Sequence, residues 1–374
     1  MSAAFQDIVT FLNSVAPPAL QEQYDNSGLL TGNPGTRVKG VLIALDVTED
    51  IIDEAIEKKC NLIVAHHPLI FKGIKSLTGR DWVERTVIKA IKNDIGILAV
   101  HTNLDNIFNG VNARICERLG IREREILAPK NGGLIKIVTF CPSGADEDGN
   151  SIPQKVREAM FAAGAGHIGN YDHCSYILSG TGTFRAGKGA DPFVGDLEKE
   201  HHEQEERIET IAPRYLQRQI IQAMIEAHPY EEVAYDIYPL ENEHPRTGAG
   251  MIGNLEAPIP EHDFMQWLKD RMNVKVIRHT QLRGTDIQRV AVCGGSGSFL
   301  LEKAISAGAD VFITGDFKYH QFFDGEGNIL IADIGHYESE QYTIHLLHEL
   351  LTEKFTTFAL RKTELITNPV NYFY

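Results

Sequence analysis

No apolar run in the 374-residue sequence approaches the roughly 20 residues that a membrane span requires, so no transmembrane segment is expected. The start, Met1-Ser-Ala-Ala-Phe-Gln-Asp, has neither a basic n-region nor a cleavage site, which predicts a cytoplasmic rather than a secreted protein. Cysteine is sparse: Cys60, Cys116, Cys141, Cys174 and Cys293 are odd in number, scattered, and form no C-x-x-C pair. That argues for reduced thiols and against a thiolate zinc site. Positive charge is short as well. Lys and Arg total 36 against 51 Asp and Glu, a formal net charge of −15, and no Lys/Arg cluster is interleaved with aromatics. Long nucleic acids are therefore not expected as partners, whereas a single nucleotide held through metal ions is compatible with the acidity.

What is present is ordinary for a soluble globular protein, with 43% apolar and 23% charged residues. The length exceeds a comfortable single core, so two domains are expected. Residues 4–15 have helical apolar spacing and stop before Pro17-Pro18. Strands then alternate with helices: strand 38–45, helix 50–59 with Thr48 as N-cap, strand 62–65, helix 82–93, strand 97–102 and helix 110–119. This rhythm predicts β-α-β units around a mostly parallel sheet, an α/β fold. It changes near Pro129-Lys-Asn-Gly-Gly133. The next elements read as strand 134–141, helix 153–163, strands 174–184 and 206–212, helix 213–225 and strand 233–240. That β-α-β-β-α-β order is the ferredoxin-like split motif. The alternation resumes after His244-Pro245. The expected organisation is a discontinuous α/β domain, 1–129 and 246–374, carrying an inserted ferredoxin-like α+β domain at 130–245. The outer segments also echo each other without gaps, Val41 through His66 onto Val290 through Gly315, which sets His67 opposite Asp316.

Chemistry gathers at predicted strand ends, where open α/β sheets place their sites. Asn61-Leu-Ile-Val-Ala runs into His66-His67-Pro68, and Ile97-Leu-Ala-Val runs into His101 and then Asp105. Asn328-Ile-Leu-Ile-Ala-Asp-Ile leads to Gly335-His336-Tyr-Glu-Ser-Glu340, where His336 and Glu340 would share one helix face. Single histidines at strand ends are commonly structural; a doublet joined by further His, Asp and Glu strand ends points to one hydrolytic metal site. Asp105 could bridge two cations, or serve an Asx-turn or N-cap before Asn109-Gly110. His336 and Glu340 could equally be a surface pair. Imidazole with carboxylate suits zinc, manganese, iron or nickel. Two such cations about 3.5–4 Å apart would lower the pKa of a bridging water. His201-His202, inside the charge run 196–206, reads instead as a solvated loop. Gly294-Gly-Ser-Gly-Ser298 lies between a strand and a helix. Its residues Gly295, Ser296 and Gly297 could hold phosphate through bare amides, or simply make a tight turn. Asp316 and His320 suit proton transfer, support of a ligand, or capping.

Laid together, these segments resemble the Nif-three-like family of dinuclear-metal proteins, often named GTP cyclohydrolase 1 type 2. The resemblance rests on Tyr24-Asp-Asn-Ser-Gly-Leu (with Tyr where Trp is common), Leu45-Asp46, Ala65-His-His-Pro68, His101-Thr-Asn-Leu-Asp105, Thr314-Gly-Asp-Phe-Lys-Tyr-His320 and Gly335-His-Tyr-Glu-Ser-Glu340. It implies that His66, His67, Asp105, His336 and Glu340 hold two divalent ions, zinc foremost, with manganese, iron, nickel or magnesium open. Gly166-His-Ile-Gly-Asn-Tyr171 and His228-Pro-Tyr-Glu-Glu232 match the PII/CutA-like insert of the longer members. The implied assembly is a toroidal homohexamer whose trimeric inserts restrict access. The implied function is a metal-dependent hydrolase acting on a nucleotide-like or phosphorylated small molecule, with Glu340, Asp316 and His320 as catalytic candidates. The alternative is a metal-binding sensor or scaffold whose insert binds an effector or partner without catalysis.

Overall fold

The computed structural model describes residues 3–373. The chain forms two compact units, one from residues 1–129 and 246–374, the other from 130–245. The first unit contains two sheets. One has the order β1 (Gly28–Thr31), β4 (Gly96–Ala99), β3 (Leu62–Ala65), β2 (Gly40–Ala44), β15 (Ala359–Lys362), parallel throughout except for edge strand β1. The other has the order β11 (Arg278–His279), β14 (Leu330–Asp333), β13 (Val311–Gly315), β12 (Asp286–Ser296), β10 (His244–Pro260), β5 (Arg122–Lys130). Here β12, β13 and β14 are parallel, while β11 and β10 run antiparallel to their neighbours β14 and β12.

Every residue of β2, β3 and β4 is buried. Strands covered on both faces need continuous apolar runs rather than alternation, which is why the segments 40–44, 62–65 and 96–99 read as they do. One core cluster draws Ile43 and Val64 from the first sheet, Val292 and Ile313 from the second, and Ile115, Phe264 and Leu347 from helices Val111–Arg118, Glu261–Met272 and Thr343–Lys354. The opposite face of the first sheet is covered by Glu49–Glu57 and Trp82–Lys92 through Ile51, Ile52, Val87 and Ala90. Leu301–Ser306 covers the second sheet against Phe312 and Ile331. Each such buried side chain stabilises by roughly 1.5–3 kcal/mol, so the strands are anchored along their length and polar groups gather at their ends. Thr48 caps its helix by accepting from the Ile51 amide at 3.3 Å, as the sequence predicts.

The internal echo is a structural duplication. Val41 pairs with Leu62 in β2–β3 and Val290 with Val311 in β12–β13; Leu62 then pairs with Gly96 and Val311 with Leu330. Both sheets therefore repeat an antiparallel edge strand followed by three parallel strands in the same register.

The second unit has the sheet order β7 (Ser175–Arg185), β8 (Glu200–Pro213), β6 (Leu134–Pro142), β9 (Tyr235–Pro239), all antiparallel, with helices Ile152–Ala162 and Gln217–Ala227. This is the ferredoxin-like arrangement. Its own core holds Ile137, Val156, Met160, Ile208, Ile220 and Met224. The charge run 196–206 departs from expectation. From Glu200 it is strand, paired with β7 out to Glu200–Arg185, rather than a solvated loop. Side chains on both faces of this outer hairpin are largely open to water, so no apolar alternation marks it in the sequence. His201 and His202 are successive strand residues on opposite faces, bonded to Glu203 and Glu200 respectively.

Candidate metal centre

The parallel strands of both sheets end at one cluster. β3 delivers His66 and His67; β4 delivers His101 and, through the short helix Thr102–Asp105, Asp105; β14 leads through Gly335 to helix His336–Glu340. Four imidazoles share one orientation rule. His66 Nδ1 lies 2.9 Å from the Val100 carbonyl, His67 Nδ1 2.7 Å from Asp46 Oδ1, His101 Nδ1 2.8 Å from Asp25 Oδ1 and His336 Nδ1 2.7 Å from Asp316 Oδ2. All four partners are acceptors. Nδ1 therefore carries the proton, and each Nε2 is the atom offered to the centre, the arrangement found around ligating histidines.

The donors fall into three groups whose ligand atoms lie within 4.8 Å of one another: His66, Asp105 and Glu340; His67, His336 and Glu340; and His66, His67 and His101. Glu340 belongs to two of them through different oxygens. Its Oε1 is 3.7 Å from His66 Nε2, while Oε2 is 2.9 Å from His67 Nε2 and 3.2 Å from His336 Nε2. The residues present fit metal ions on a further ground. His66 Nε2 and Asp105 Oδ1 are buried, 3.6 Å apart, and have no hydrogen-bond partner. Two facing orphans of this kind cost roughly 1–3 kcal/mol each, and a cation between them removes the penalty.

Electrostatics point the same way. Burial would lower the His67 imidazole, but hydrogen bonds to Asp46 and Glu340 outweigh it and raise the ring to about 9. Burial is likewise outweighed at His336 by Asp316 and Glu340, which lift it to about 11. Asp105 is pushed up to about 8 by burial and by the Glu340 charge. Glu340 is buried too, yet the charges and hydrogen bonds of His66, His336 and His67 hold it well below the usual carboxylate range. The two raised imidazoles bring Nε2 to Nε2 at 3.3 Å, a contact that two imidazolium ions resist and a shared cation favours.

Backbone placement is tight. A Cβ on Gly295, whose φ is +63°, would fall 2.5 Å from Glu340 Oε1, so only glycine lets the end of β12 approach the carboxylate. Asp316 is held at φ +60°, unusual for a residue with a side chain, with Oδ2 shared between His336 and the Ser296 hydroxyl at 2.5 Å. Thr367, near the C-terminus, donates to Asp46 Oδ2 at 2.6 Å and so fixes the carboxylate that orients His67.

All five expected ligands, His66, His67, Asp105, His336 and Glu340, come together. Asp105 is not a helix N-cap, because Gly110 occupies that position before Val111–Arg118. Asp316 holds His336 in place. His320 does not join the cluster: it is exposed, with its ring against Tyr319 and Phe323. The phosphate expectation for Gly295, Ser296 and Gly297 also loses its basis. The Gly295 amide donates to Ser339 Oγ, the Gly297 amide to Thr314 Oγ1, and the Ser296 hydroxyl to Asp316, while the following helix Leu301–Ser306 is short. The turn serves close packing instead. Sequence reasoning gave no role to Asp25, Asp46 or Thr367 and left His101 outside the ligand set. For three of them the only signal was position, two aspartates inside the matched motifs and a histidine at a strand end; Thr367 had none.

A histidine–carboxylate cluster at the strand ends of a duplicated α/β unit, interrupted by a ferredoxin-like unit, is a candidate metal centre. The chain belongs to the Duf34/NIF3 (NGG1p interacting factor 3) family, whose pattern matches residues 3–369. It is 36% identical over 377 residues to the GTP cyclohydrolase 1 type 2 homolog of Bacillus subtilis strain 168, and 38% identical over 372 residues to that of Halalkalibacterium halodurans; each match covers 98% of both chains. Among solved structures, a Bacillus cereus protein related to NIF3 superposes with a TM-score of 0.87 at 38% identity over the full length of both chains. A Staphylococcus aureus protein follows at 0.77 and 28%, covering 100% of this chain and 99% of its own. No helix among the described residues is long and apolar enough to cross a membrane.

Proposed function

We propose that the chain is a hydrolase that works with two divalent ions on a nucleotide-like small molecule, the first candidate reaction being opening of the GTP imidazole ring with release of formate. The observation that carries this reading is the split of Glu340: one buried carboxylate turns Oε1 toward His66, which clusters with Asp105, and Oε2 toward His67 and His336. The name shared by the relatives supports the choice of GTP. Divalent ions held there would supply Lewis acidity and a nucleophilic water near neutral pH. The chain's own contribution is orientation. Asp46, Asp316 and Asp25 fix the tautomers of His67, His336 and His101, and full burial of His66 keeps one side of the centre dry. The remaining side opens to a cavity of about 860 Å3.

The test is turnover of GTP by the metal-loaded chain, with formate and phosphate followed together and Glu340→Ala as control. Formate release that vanishes in the variant supports ring opening; phosphate release alone supports phosphoester cleavage. A full metal complement with no turnover would reject the hydrolase and favour a metal-binding sensor or scaffold.

A further inference from the structure

The cavity at the centre has room for a nucleoside-sized ligand. Its lining includes three aromatic residues open to water, Tyr24, Phe71 and Phe299, exposed by 66%, 47% and 68%. Tyr24 and Phe71 are stacked, with ring centroids 6.3 Å apart and planes 25° from parallel. Phe71 also meets the His101 ring edge-on at 5.8 Å and 73°. A row of rings thus leads from the ligand cluster to the open side of the cavity, presenting flat apolar faces beside the reacting centre. Such faces favour planar partners, because stacking offers area without demanding specific hydrogen bonds.

Charge selects in the same direction. Five carboxylates, Asp25, Asp46, Asp105, Asp316 and Glu340, bond to or cluster with the four imidazoles. Two divalent ions bring four positive charges, which these five carboxylates already balance. Among the described residues Arg278 is the only Lys or Arg that lines the cavity, and its Nη2 is committed to Asp333 and to the Phe317 carbonyl. A polyphosphate therefore meets no surplus of positive charge, while a ring of low charge meets aromatic surface.

We propose that Tyr24 and Phe71 form a stacking platform that selects a planar aromatic heterocycle of little negative charge, so that the substrate is held by its ring rather than by a polyphosphate. The proposal rests on the two-metal hydrolase reading and narrows its substrate class. Its test is calorimetric titration of the metal-loaded full chain, assayed for metal content, with guanosine and with GTP. Guanosine is expected to bind at least as tightly as GTP. Tyr24→Ala and Phe71→Ala are each expected to weaken guanosine binding about ten-fold, with metal content unchanged, and Phe71→Trp to restore it. Should Phe71→Ala shed metal through its contact with His101, Tyr24→Ala carries the test.

Guanosine that fails to bind, GTP that binds tighter by about ten-fold or more, or alanine variants that bind guanosine like the parent would each overturn the platform. So would a change in oligomer mass with guanosine affinity intact, which assigns the pair to a contact between chains. GTP turnover persisting in such a case leaves the hydrolase reading standing. Guanosine binding that depends on Tyr24, without turnover of either compound, leaves the platform and removes the hydrolase.

Discussion

Protons would compete with metal ions for the atoms at this candidate centre. His67, His336 and Asp105 are raised to about 9, about 11 and about 8, so near neutral pH each carries a proton that a metal ion must displace. The sign follows directly: metal binding releases protons, and affinity rises with pH up to these values and falls as the solution is acidified. Zinc titrations in buffers of different ionisation enthalpy should show net proton release at pH 7, and a pH-independent affinity between pH 6 and 8 would contradict the assignment. Gly295 offers a second check at the same scale. Gly295→Ala puts a methyl group against Glu340 Oε1 in a left-handed backbone conformation. It is expected to cost about 1–3 kcal/mol of stability and to lower metal content, read by thermal unfolding and elemental analysis. The candidate donors were legible because each follows closely on a buried apolar strand: His66 and His67 directly after β3, Asp105 one short helix beyond β4, and His336 and Glu340 in the helix after β14. His101 was visible too, but what turns its Nε2 inward is Asp25, 76 positions away in sequence, and local reading carries no signal for such a contact. Asp46 and Thr367 depend in the same way on tertiary packing.

Elements explain why a centre forms here at all. The duplicated strand–helix–strand units place the C-terminal ends of β2, β3 and β4 and of β12, β13 and β14 around one set of donors. The second half contributes support where the first contributes a ligand: His67 follows β3, and at the matching position Asp316 follows β13 and holds His336. Asp316→Ala removes that support and leaves a strained backbone without its compensating bonds. Metal affinity is expected to fall about 10–100-fold while the fold persists, measured by competition with a chelator; unchanged affinity would deny Asp316 this role. The same duplication was readable in the sequence because buried parallel strands keep an unbroken apolar register. The outer half of β8 was not, because a hairpin exposed on both faces is held by its backbone ladder and leaves no apolar period. The glycine turn misled for a related reason. Gly294 to Gly297 has the composition of an anion loop, but its amides are consumed by Asn112, Ser339 and Thr314, partners far away in sequence.

The whole molecule joins two units that each bury a separate core, one organised around Phe264, Phe312 and Ile313 and the other around Val156, Met160 and Ile208. Every candidate metal donor among the described residues belongs to the first. Scanning calorimetry is therefore expected to resolve two transitions, of which metal raises only that of the α/β unit; saturation at 100 times Kd adds about 2.7 kcal/mol. A uniform shift of both would show that the insert is coupled to the centre. The central claim, a centre whose halves are joined by Glu340, is tested most directly by metal stoichiometry per chain in the parent, Asp105→Ala and Glu340→Ala proteins, each shown to be folded. Two ions are expected in the parent, one in Asp105→Ala, and none retained tightly in Glu340→Ala. A parent that binds a single ion, or a Glu340→Ala variant that keeps both, would contradict it.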